Sequence, residues 1–313
     1  NFHITNTMST YDVILLGGGP ANLLTASVLV SKGLKVALFE QNSQLGKKFL
    51  VAGKSGLNLS MDYTYDKFVE GYYRDRDFIH PILNAFPPKD QQAFFENILR
   101  IKTYAGSAGK VFPEESAVVV LKTWLAYLKK RGLEVYTHHK WESGNGEIHN
   151  IFNLKTKEVH TVTAKYTVFG FGGNSWRETG SDANWITAFK DFGIQLNPFQ
   201  PSNSGLECTL DTFIFKKWNG EFIKNCTLTY KEQLFTGEIR IGDGQIEGSP
   251  IYHLNAFVRN ELNGCGTTVY LDFKPQWNQE TLERKWNKKY SLAKNVKYLK
   301  LSPLFPSFYK SLN

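Results

Sequence analysis

The sequence predicts an α/β protein with two domains. The larger one, residues 1–200, is built on a parallel sheet, and the smaller one, residues 201–313, is β-rich and then helical. Three observations carry this prediction. Near the N-terminus a short apolar strand runs into three glycines and then a helical pattern. A proline-rich segment at 197–201 has the composition of a linker. Beyond it, short strands separated by turn signals replace the helical pattern.

The first element is a strand–turn–helix–strand unit. Val13–Leu16 is an apolar run without alternation, as expected of a parallel strand buried on both faces. Three glycines follow, and a helical pattern then runs from about Pro20 to Lys32. Lys35–Phe39 is a second strand, and Glu40 stands at its end, 23 residues after Gly17.

This order is that of a Rossmann dinucleotide site. Gly17 makes the tight turn, the next glycines let the backbone approach a diphosphate, and the helix N-terminus faces that diphosphate. Glu40 accepts hydrogen bonds from a ribose and repels a 2′-phosphate, which favours FAD or NAD over NADP. Asn22 departs from the pattern, because the third glycine normally allows close helix–strand packing. The alternative interpretation is a glycine-rich turn in an ordinary α/β protein.

A loop rich in Gly, Lys, Ser and Asn follows Glu40. Its segment Gly53–Ser55 resembles the tail of a P-loop, but Lys48 occupies the position where that motif needs a glycine, so a nucleoside triphosphatase is excluded. We expect Lys47, Lys48 and the exposed amides of this loop to contact phosphate, ribose or the edge of an isoalloxazine ring.

The rest of the larger domain completes the sheet. Ser116 is predicted to cap a helix over Ala117–Lys130, and Leu133–Thr137 is a third parallel strand. A β-meander is predicted over 141–163, with a hairpin turn at 144–146. Lys165–Phe171 is another buried strand that runs into Gly172 and Gly173, where a backbone comes close to a ligand. A helix capped by residues 180–182 is predicted to continue to about Phe192.

The smaller domain is predicted to be a small barrel or sandwich. Glu207–Tyr270 is strand-rich, with turns at Asn219–Gly220, 236–237 and 243–244. One helix interrupts it, with Ser249 as its cap and Pro250 in its first turn, continuing to about Leu262. The tail from residue 279 is basic and helical in composition.

Charge is concentrated at one end of the chain. The net charge is +8, and residues 274–313 carry eight lysines and one arginine against two glutamates, a net charge of +7. This indicates either a solvated helical face or a surface for an anionic partner such as RNA.

No apolar stretch approaches the roughly 18 residues of a membrane span, and a secretion signal is not evident. Cys208, Cys226 and Cys265 are widely spaced, which argues for reduced thiols in the cytoplasm and against a zinc site or a disulfide framework. We therefore predict a cytoplasmic protein without a metal site.

Several longer segments resemble those of a known family. They are GGGPANLL, GKKFLVAGKSGLNLS, GKVFPEESAVVVLKTWLAYLKKRGLEV, FGFGGNSWRETGSDANW, PFQPSNSGLEC and GQIEGSPIYHLNAFVRNEL. From about Tyr11 onward the chain resembles the BaiN/RdsA-like NAD(P)/FAD-dependent oxidoreductases of bacteria, and in particular a poorly characterised branch of them. The resemblance implies a glutathione-reductase-like, Rossmann-type FAD-binding domain with a β-meander, interrupted by an insertion domain of β-barrel and helices.

The resemblance also implies site residues. The contacts with FAD are expected at Gly17, Gly18, Gly19, Pro20, Ala21, Glu40, Gln41, Lys48, Gly53, Asn58, Val135, Gly172 and Gly173. Val135 falls where such folds hold the adenine through backbone atoms. No catalytic acid or base is assigned. The candidates are Lys54, Glu247, Tyr252 and His253, because they lie on loops or at a helix start. The other interpretation of each residue is a structural or solvated role.

The function implied is hydride transfer from reduced flavin to a conjugated carbon–carbon double bond, held between the two domains, with NAD(P)H as the electron donor. Family members act on uracil in ribosomal RNA and on steroid-like enones. The cysteine spacing does not predict a disulfide reductase. Because such proteins add a final FAD-domain segment after the insertion domain, the end at Asn313 predicts a C-terminally truncated chain. The alternatives are an RNA-contacting, ribosomal RNA uridine-reducing flavoprotein and a non-catalytic remnant.

Overall fold

The computed structural model describes residues 4–72, 75–106, 109–262 and 266–312. Cys265 lies outside the described residues. The chain forms two compact units, Asn1–Phe199 and Gln200–Asn313, which divide inside the proline-rich segment. The functions that the sequence suggested for the two domains stay predictions.

The first unit alternates strands and helices. Its elements are β1 (Ile4–Leu16), α1 (Pro20–Ser31), β2 (Val36–Glu40), α2 (Lys47–Ala52), β3 (Ser60–Met61), α3 (Tyr65–Glu70), α4 (Arg76–Ala85), α5 (Pro88–Ala93), β4 (Thr103–Ala105), β5 (Lys110–Pro113), α6 (Ala117–Lys130), β6 (Glu134–Thr137), β7 (His139–Asn145), β8 (Ile148–Asn153), β9 (Val159–Phe169) and α7 (Trp185–Asp191).

The main sheet has the order β6-β2-β1-β9-β8-β7 within the described residues. The first four strands are parallel, and β8 and β7 pair antiparallel to their neighbours. Leu16 lies beside both Phe39 and Phe169, and Glu40 lies beside Thr137, so the carboxyl ends of the parallel strands are level. The predicted Rossmann-type α/β fold with a β-meander is confirmed.

Both faces of this sheet are covered, which explains the unbroken apolar runs of its strands. Val13 and Leu15 face α1 and α6 in one core cluster, where the indole Nε1 of Trp124 donates to Ser27 Oγ at 2.8 Å. Ile14 and Leu16 belong to a second cluster, with Phe39 and Trp141, on the side of the meander. Ligands of such folds bind at the carboxyl ends of the parallel strands.

Three predicted boundaries differ from the observed ones. β1 begins at Ile4 because its first half also pairs with β9. The strand predicted at Lys165–Phe171 is the second half of β9, which ends at Phe169. The helix expected directly after residue 182 begins only at Trp185, because Ala183 has a φ of 60°, which a right-handed helix excludes.

The second unit is an antiparallel sheet with helices. Its elements are β10 (Leu206–Glu207), α8 (Thr212–Trp218), β11 (Phe222–Tyr230), β12 (Gln233–Ile241), β13 (Gln245–Glu247), α9 (Ser249–Val258), β14 (Tyr270–Asp272), α10 (Gln279–Lys285), α11 (Leu292–Tyr298) and α12 (Phe305–Leu312).

The strand order β10-β13-β12-β11-β14 is that of an open sheet in the described residues, where the sequence favoured a barrel or sandwich. Its core joins the sheet to α8, α9 and α12 through Ile214, Ile239, Ile251, Leu254 and Phe308. The cap of α9 is Gly248 rather than Ser249: it has a φ of 123°, and a Cβ there would lie 2.2 Å from Glu238 O. No helix in the described part of the chain is long and apolar enough to cross a bilayer.

Candidate functional site

The first unit contains a cavity of about 950 Å³ at the carboxyl ends of β1, β2 and β9. Its volume is in the range of small-molecule and cofactor sites. The residues that line it come from the glycine turn, the end of β2, the start of α2, the start of β7 and the segment from Phe169 to α7.

The glycine turn brings backbone atoms to the cavity. Gly17 has a φ of 100°, and a Cβ there would lie 2.5 Å from Gly170 O, so the turn passes directly against the end of β9. A Cβ at Gly18 would lie 2.3 Å from Leu45 Cδ2. Gly19, the residue before α1, has open space around it and an ordinary φ of −79°. The turn is therefore open toward the cavity at Gly19.

Helix α1 begins beside the cavity, where Pro20 and Ala21 line it. Its first intrahelical hydrogen bond joins Leu23 N to Gly19 O at 3.0 Å. The N–H groups of Ala21 and Asn22 precede that bond, so they have no partner within the helix. Together with the positive end of the helix dipole, they favour an anion at this end of the cavity.

Glu40 is held in place at the end of β2. It is 8% exposed, and its Oε2 accepts a hydrogen bond from Gly18 N at 2.7 Å. Its Oε1 accepts from both Asn42 N and Asn42 Nδ2, each at 2.7 Å. The carboxylate is thus oriented by the glycine turn and lines the cavity.

Asn22 explains the departure from the glycine pattern. It is buried, and its Nδ2 donates to Leu16 O at 3.0 Å and to Gly17 O at 2.8 Å. A Cβ on Gly170 would lie 2.5 Å from that Nδ2. The close packing of helix on strand therefore depends on a glycine at the end of β9, and Asn22 fills the space that Gly170 leaves.

Residues 174–181, which we call the strap, run along this cavity. Lys48 Nζ donates to Ser175 Oγ at 2.8 Å and to Ser175 O at 3.1 Å, and Lys47 Nζ donates to Glu178 O. Asn42 Nδ2 donates to Thr179 O at 3.3 Å and Gln41 Nε2 to Gly180 O at 3.4 Å. Side chains from the loop after β2 and from α2 therefore hold the strap through its backbone carbonyls.

One wall of the cavity is aromatic. Phe39, Trp141, Phe169, Phe171 and Trp185 line it, and the Trp185 indole Nε1 donates to Gly172 O at 3.0 Å. Such rings supply apolar contact area and exclude water from a flat ligand.

His139, at the start of β7, also lines the cavity. Burial lowers its pKa, partly offset by the Thr137 carbonyl, which lies 2.7 Å from its Nδ1. The sequence did not single out Asn42, His139 or the aromatic residues as site residues, because no local motif marks them.

The structure brings together nine of the thirteen residues expected to bind FAD. Those that line the cavity are Gly17, Gly18, Gly19, Pro20, Ala21, Glu40, Gln41, Lys48 and Gly172. Four others do not line it. Gly53 packs on α6, where a Cβ would lie 2.3 Å from Ala117 Cβ, and the side chain of Asn58 is exposed. Val135 on β6 is 40% exposed, and Gly173 packs near Phe199. The role of all thirteen in binding stays a prediction.

The candidate acids and bases are not part of this cavity's lining either. Lys54 is exposed in the first unit. Glu247 pairs with Arg240 at 3.4 Å in the second unit, where His253 is exposed and Tyr252 is half-buried. None of the four is assigned a catalytic role.

Comparison with known proteins places this geometry in a family. The chain is 26% identical over 253 residues to ferredoxin–NADP reductase 1 of Bacillus cereus, covering 75% of this chain and 67% of the reductase. It is 60% identical to the thiamine thiazole synthase of Methanosarcina acetivorans over 35 residues, which are 11% of this chain and 14% of the synthase. A flavocytochrome c3 fumarate reductase in its open conformation superposes with a TM-score of 0.49 at 14% identity, covering 70% of this chain and 48% of that one.

The chain thus spans only part of these relatives. Residues 11–281 match the HI0933-like protein Rossmann domain, which is more than half of the chain. The chain therefore belongs to the HI0933-like family of FAD-binding, BaiN/RdsA-like oxidoreductases.

Proposed function

We propose that this chain binds FAD in the cavity of its first unit and reduces a conjugated carbon–carbon double bond. The observation that carries the proposal is the pairing of an open Gly19 at the N-terminus of α1 with a Glu40 carboxylate fixed at the end of β2. These two features match two neighbouring parts of an adenosine diphosphate group, the diphosphate and the ribose.

Each feature has a physical role toward such a cofactor. The amide of Ala21, which has no partner within the helix, and the helix dipole favour the diphosphate. Glu40 accepts hydrogen bonds from the ribose hydroxyls and opposes a 2′-phosphate, which supports FAD over an NADP-type dinucleotide at this position. The aromatic wall keeps water from a flat ring system.

When bound, FAD supplies the redox chemistry, a hydride from N5 of its reduced ring. The likeness to a ferredoxin–NADP reductase supports NAD(P)H as the source of electrons. The chain's own residues position the cofactor and shape its surroundings. We also propose a cytoplasmic setting, since the described thiols of Cys208 and Cys226 are free, as suits a reducing compartment.

Gly19→Ala tests the proposal, because it separates binding from folding. The added methyl meets no protein atom within 4 Å, so we expect the thermal unfolding midpoint to stay unchanged. The same methyl occupies the space where a diphosphate approaches the backbone. Overpacking costs about 1–3 kcal/mol, so FAD affinity should fall at least about fivefold.

Fluorescence titration with FAD measures this affinity. Gly71→Ala is the control, because it adds a methyl at an exposed position that does not belong to the cavity lining. Equal FAD affinity in Gly19→Ala and the parent chain would contradict the proposed binding mode. A parent chain that takes up no FAD would instead favour the non-catalytic alternative.

A second candidate function, contact with RNA, is supported by the second unit. Lys285, Lys288, Lys289, Lys294 and Lys297 are all exposed. Lysines also lie over aromatic rings, with Lys274 Nζ 4.8 Å and Lys285 Nζ 5.2 Å from the ring centre of Trp277. Cations interleaved with aromatic rings suit a flexible nucleic acid strand, whose phosphates and bases they contact respectively. This role is compatible with flavin chemistry on an RNA base.

A further inference from the structure

We propose that His139 Nε2 is the hydrogen-bond acceptor with which this cavity selects an adenine base over a 6-oxo purine. The inference rests on the proposed function and deepens it by naming a specificity-determining residue at the base end of the dinucleotide site.

The position of His139 follows from the strand registers. Thr137, the last residue of β6, lies beside Glu40, and His139 is two residues further on. His138 N donates to Asn42 O at 3.1 Å, which ties the start of β7 to the loop after β2. The imidazole of His139 lies 6.2 Å from the Phe39 ring, and His139, Gln41 and Asn42 all line the cavity.

The direction of the ligand places its base there. β2 lies between β1 and β6 in the sheet. A nucleotide with its diphosphate at Gly19 and its ribose at Glu40 extends from β1 across β2, so its base lies toward β6. His139 is the first residue after this strand that lines the cavity, and it is followed there by Lys140, Trp141 and Glu142.

The tautomer of His139 is determined by its neighbour. The Thr137 carbonyl can only accept a hydrogen bond, so the Nδ1 that lies 2.7 Å from it carries the proton. Burial lowers the pKa of His139, which favours the neutral ring. Its Nε2 then presents a lone pair, and it has no hydrogen-bond partner in residues 4–72, 75–106, 109–262 and 266–312.

A fixed acceptor distinguishes purines at their 6-position. The 6-amino group of adenine donates a hydrogen bond to it, whereas the 6-oxo group of hypoxanthine places a second lone pair against it. The hydrogen bond is lost and a desolvated acceptor is left unpaired, so we expect ADP to bind about tenfold more tightly than IDP.

Isothermal titration of the complete chain with ADP and IDP at pH 7.5, about one unit above the usual histidine pKa, measures this ratio without any catalytic readout. His139→Phe retains a ring but lacks the acceptor, and we expect its ADP-to-IDP preference to fall to about one. His160→Phe is the matched control, because His160 lies 6.1 Å from His139 and does not belong to the cavity lining. It should keep the parent preference.

Two results would overturn the inference: equal affinities of the parent chain for ADP and IDP, or an unchanged preference in His139→Phe. The first needs no variant and so does not depend on how the substitution folds. Binding of neither nucleotide by the parent chain would remove the proposed function itself, and the inference with it.

Discussion

Asn22→Asp probes the junction between α1 and the glycine turn with almost no change of shape. Asn22 Nδ2 donates to two backbone carbonyls, Leu16 O at 3.0 Å and Gly17 O at 2.8 Å. Both partners are acceptors, so the amide nitrogen must face them. A carboxylate in the same place has no hydrogen to donate, and its charge is desolvated because the site is buried.

The expected cost follows from these two bonds. Each contributes about 1 kcal/mol net, and an unpaired buried carbonyl adds about 1–3 kcal/mol. Leu16 O keeps a second partner, since it also accepts from Gly170 N at 2.8 Å, so the larger loss falls on Gly17 O. We expect Asn22→Asp to destabilise the first unit by at least about 3 kcal/mol, because the cost of the buried charge adds to the loss of these bonds. Its unfolding midpoint should therefore fall by at least about 6 °C.

Differential scanning calorimetry measures this shift. Asn22→Ala is the companion variant: it loses the same bonds but buries no charge, so its midpoint should lie between those of Asn22→Asp and the parent. An Asn22→Asp midpoint within 2 °C of the parent, about the shift that 1 kcal/mol or less produces, would show that these two bonds do not hold the turn.

Two further predictions concern other parts of the chain. Burial, with hydrogen bonds to Tyr136 and Glu134, raises the pKa of Tyr11 above its usual value near 10. A raised folded-state pKa stabilises the protein below pH 10, and this contribution is lost as the pH rises further. The stability difference between the parent and Tyr11→Phe, followed by urea unfolding, should therefore shrink from pH 9 to pH 11; a constant difference would exclude this linkage. For the second unit, replacing Lys285, Lys288 and Lys289 by Gln should reduce the slope of log affinity against log salt for single-stranded RNA by about 2. The control replaces the exposed Lys155 and Lys157 of the first unit. An RNA affinity that does not change with salt concentration would count against the RNA function.

Local patterns predicted the core of the fold well. Val13–Leu16, the three glycines and Glu40 lie within one continuous segment, so the sequence contains the whole strand–turn–helix–strand unit. The helix Ala117–Lys130 was likewise predictable, because Ser116 caps it by accepting from Val119 N. Each of these elements is determined by residues close together in the chain.

Contacts between distant residues were harder to predict. The reciprocal packing of Asn22 and Gly170 joins residues 148 positions apart, and no local pattern indicates it. The delayed start of α7 depends on the backbone angle of Ala183, an ordinary helix-forming residue. Val135 was expected to hold the adenine through its backbone, from its position on the third strand; it does not belong to the cavity lining, and its role in binding stays a prediction.

The hydrogen bond from Gly18 to Glu40 has a consequence for how substitutions at residue 40 are interpreted. The carboxylate supports the main chain of the turn as well as facing the cavity, so replacing it changes the shape of the neighbouring subsite at the same time. The loss of binding free energy in such a variant therefore combines weaker contacts with the sugar and weaker contacts with the phosphate. Effects of substitutions at residues 40 and 19 should combine non-additively, since Glu40 accepts a hydrogen bond from Gly18 N, the amide next to Gly19.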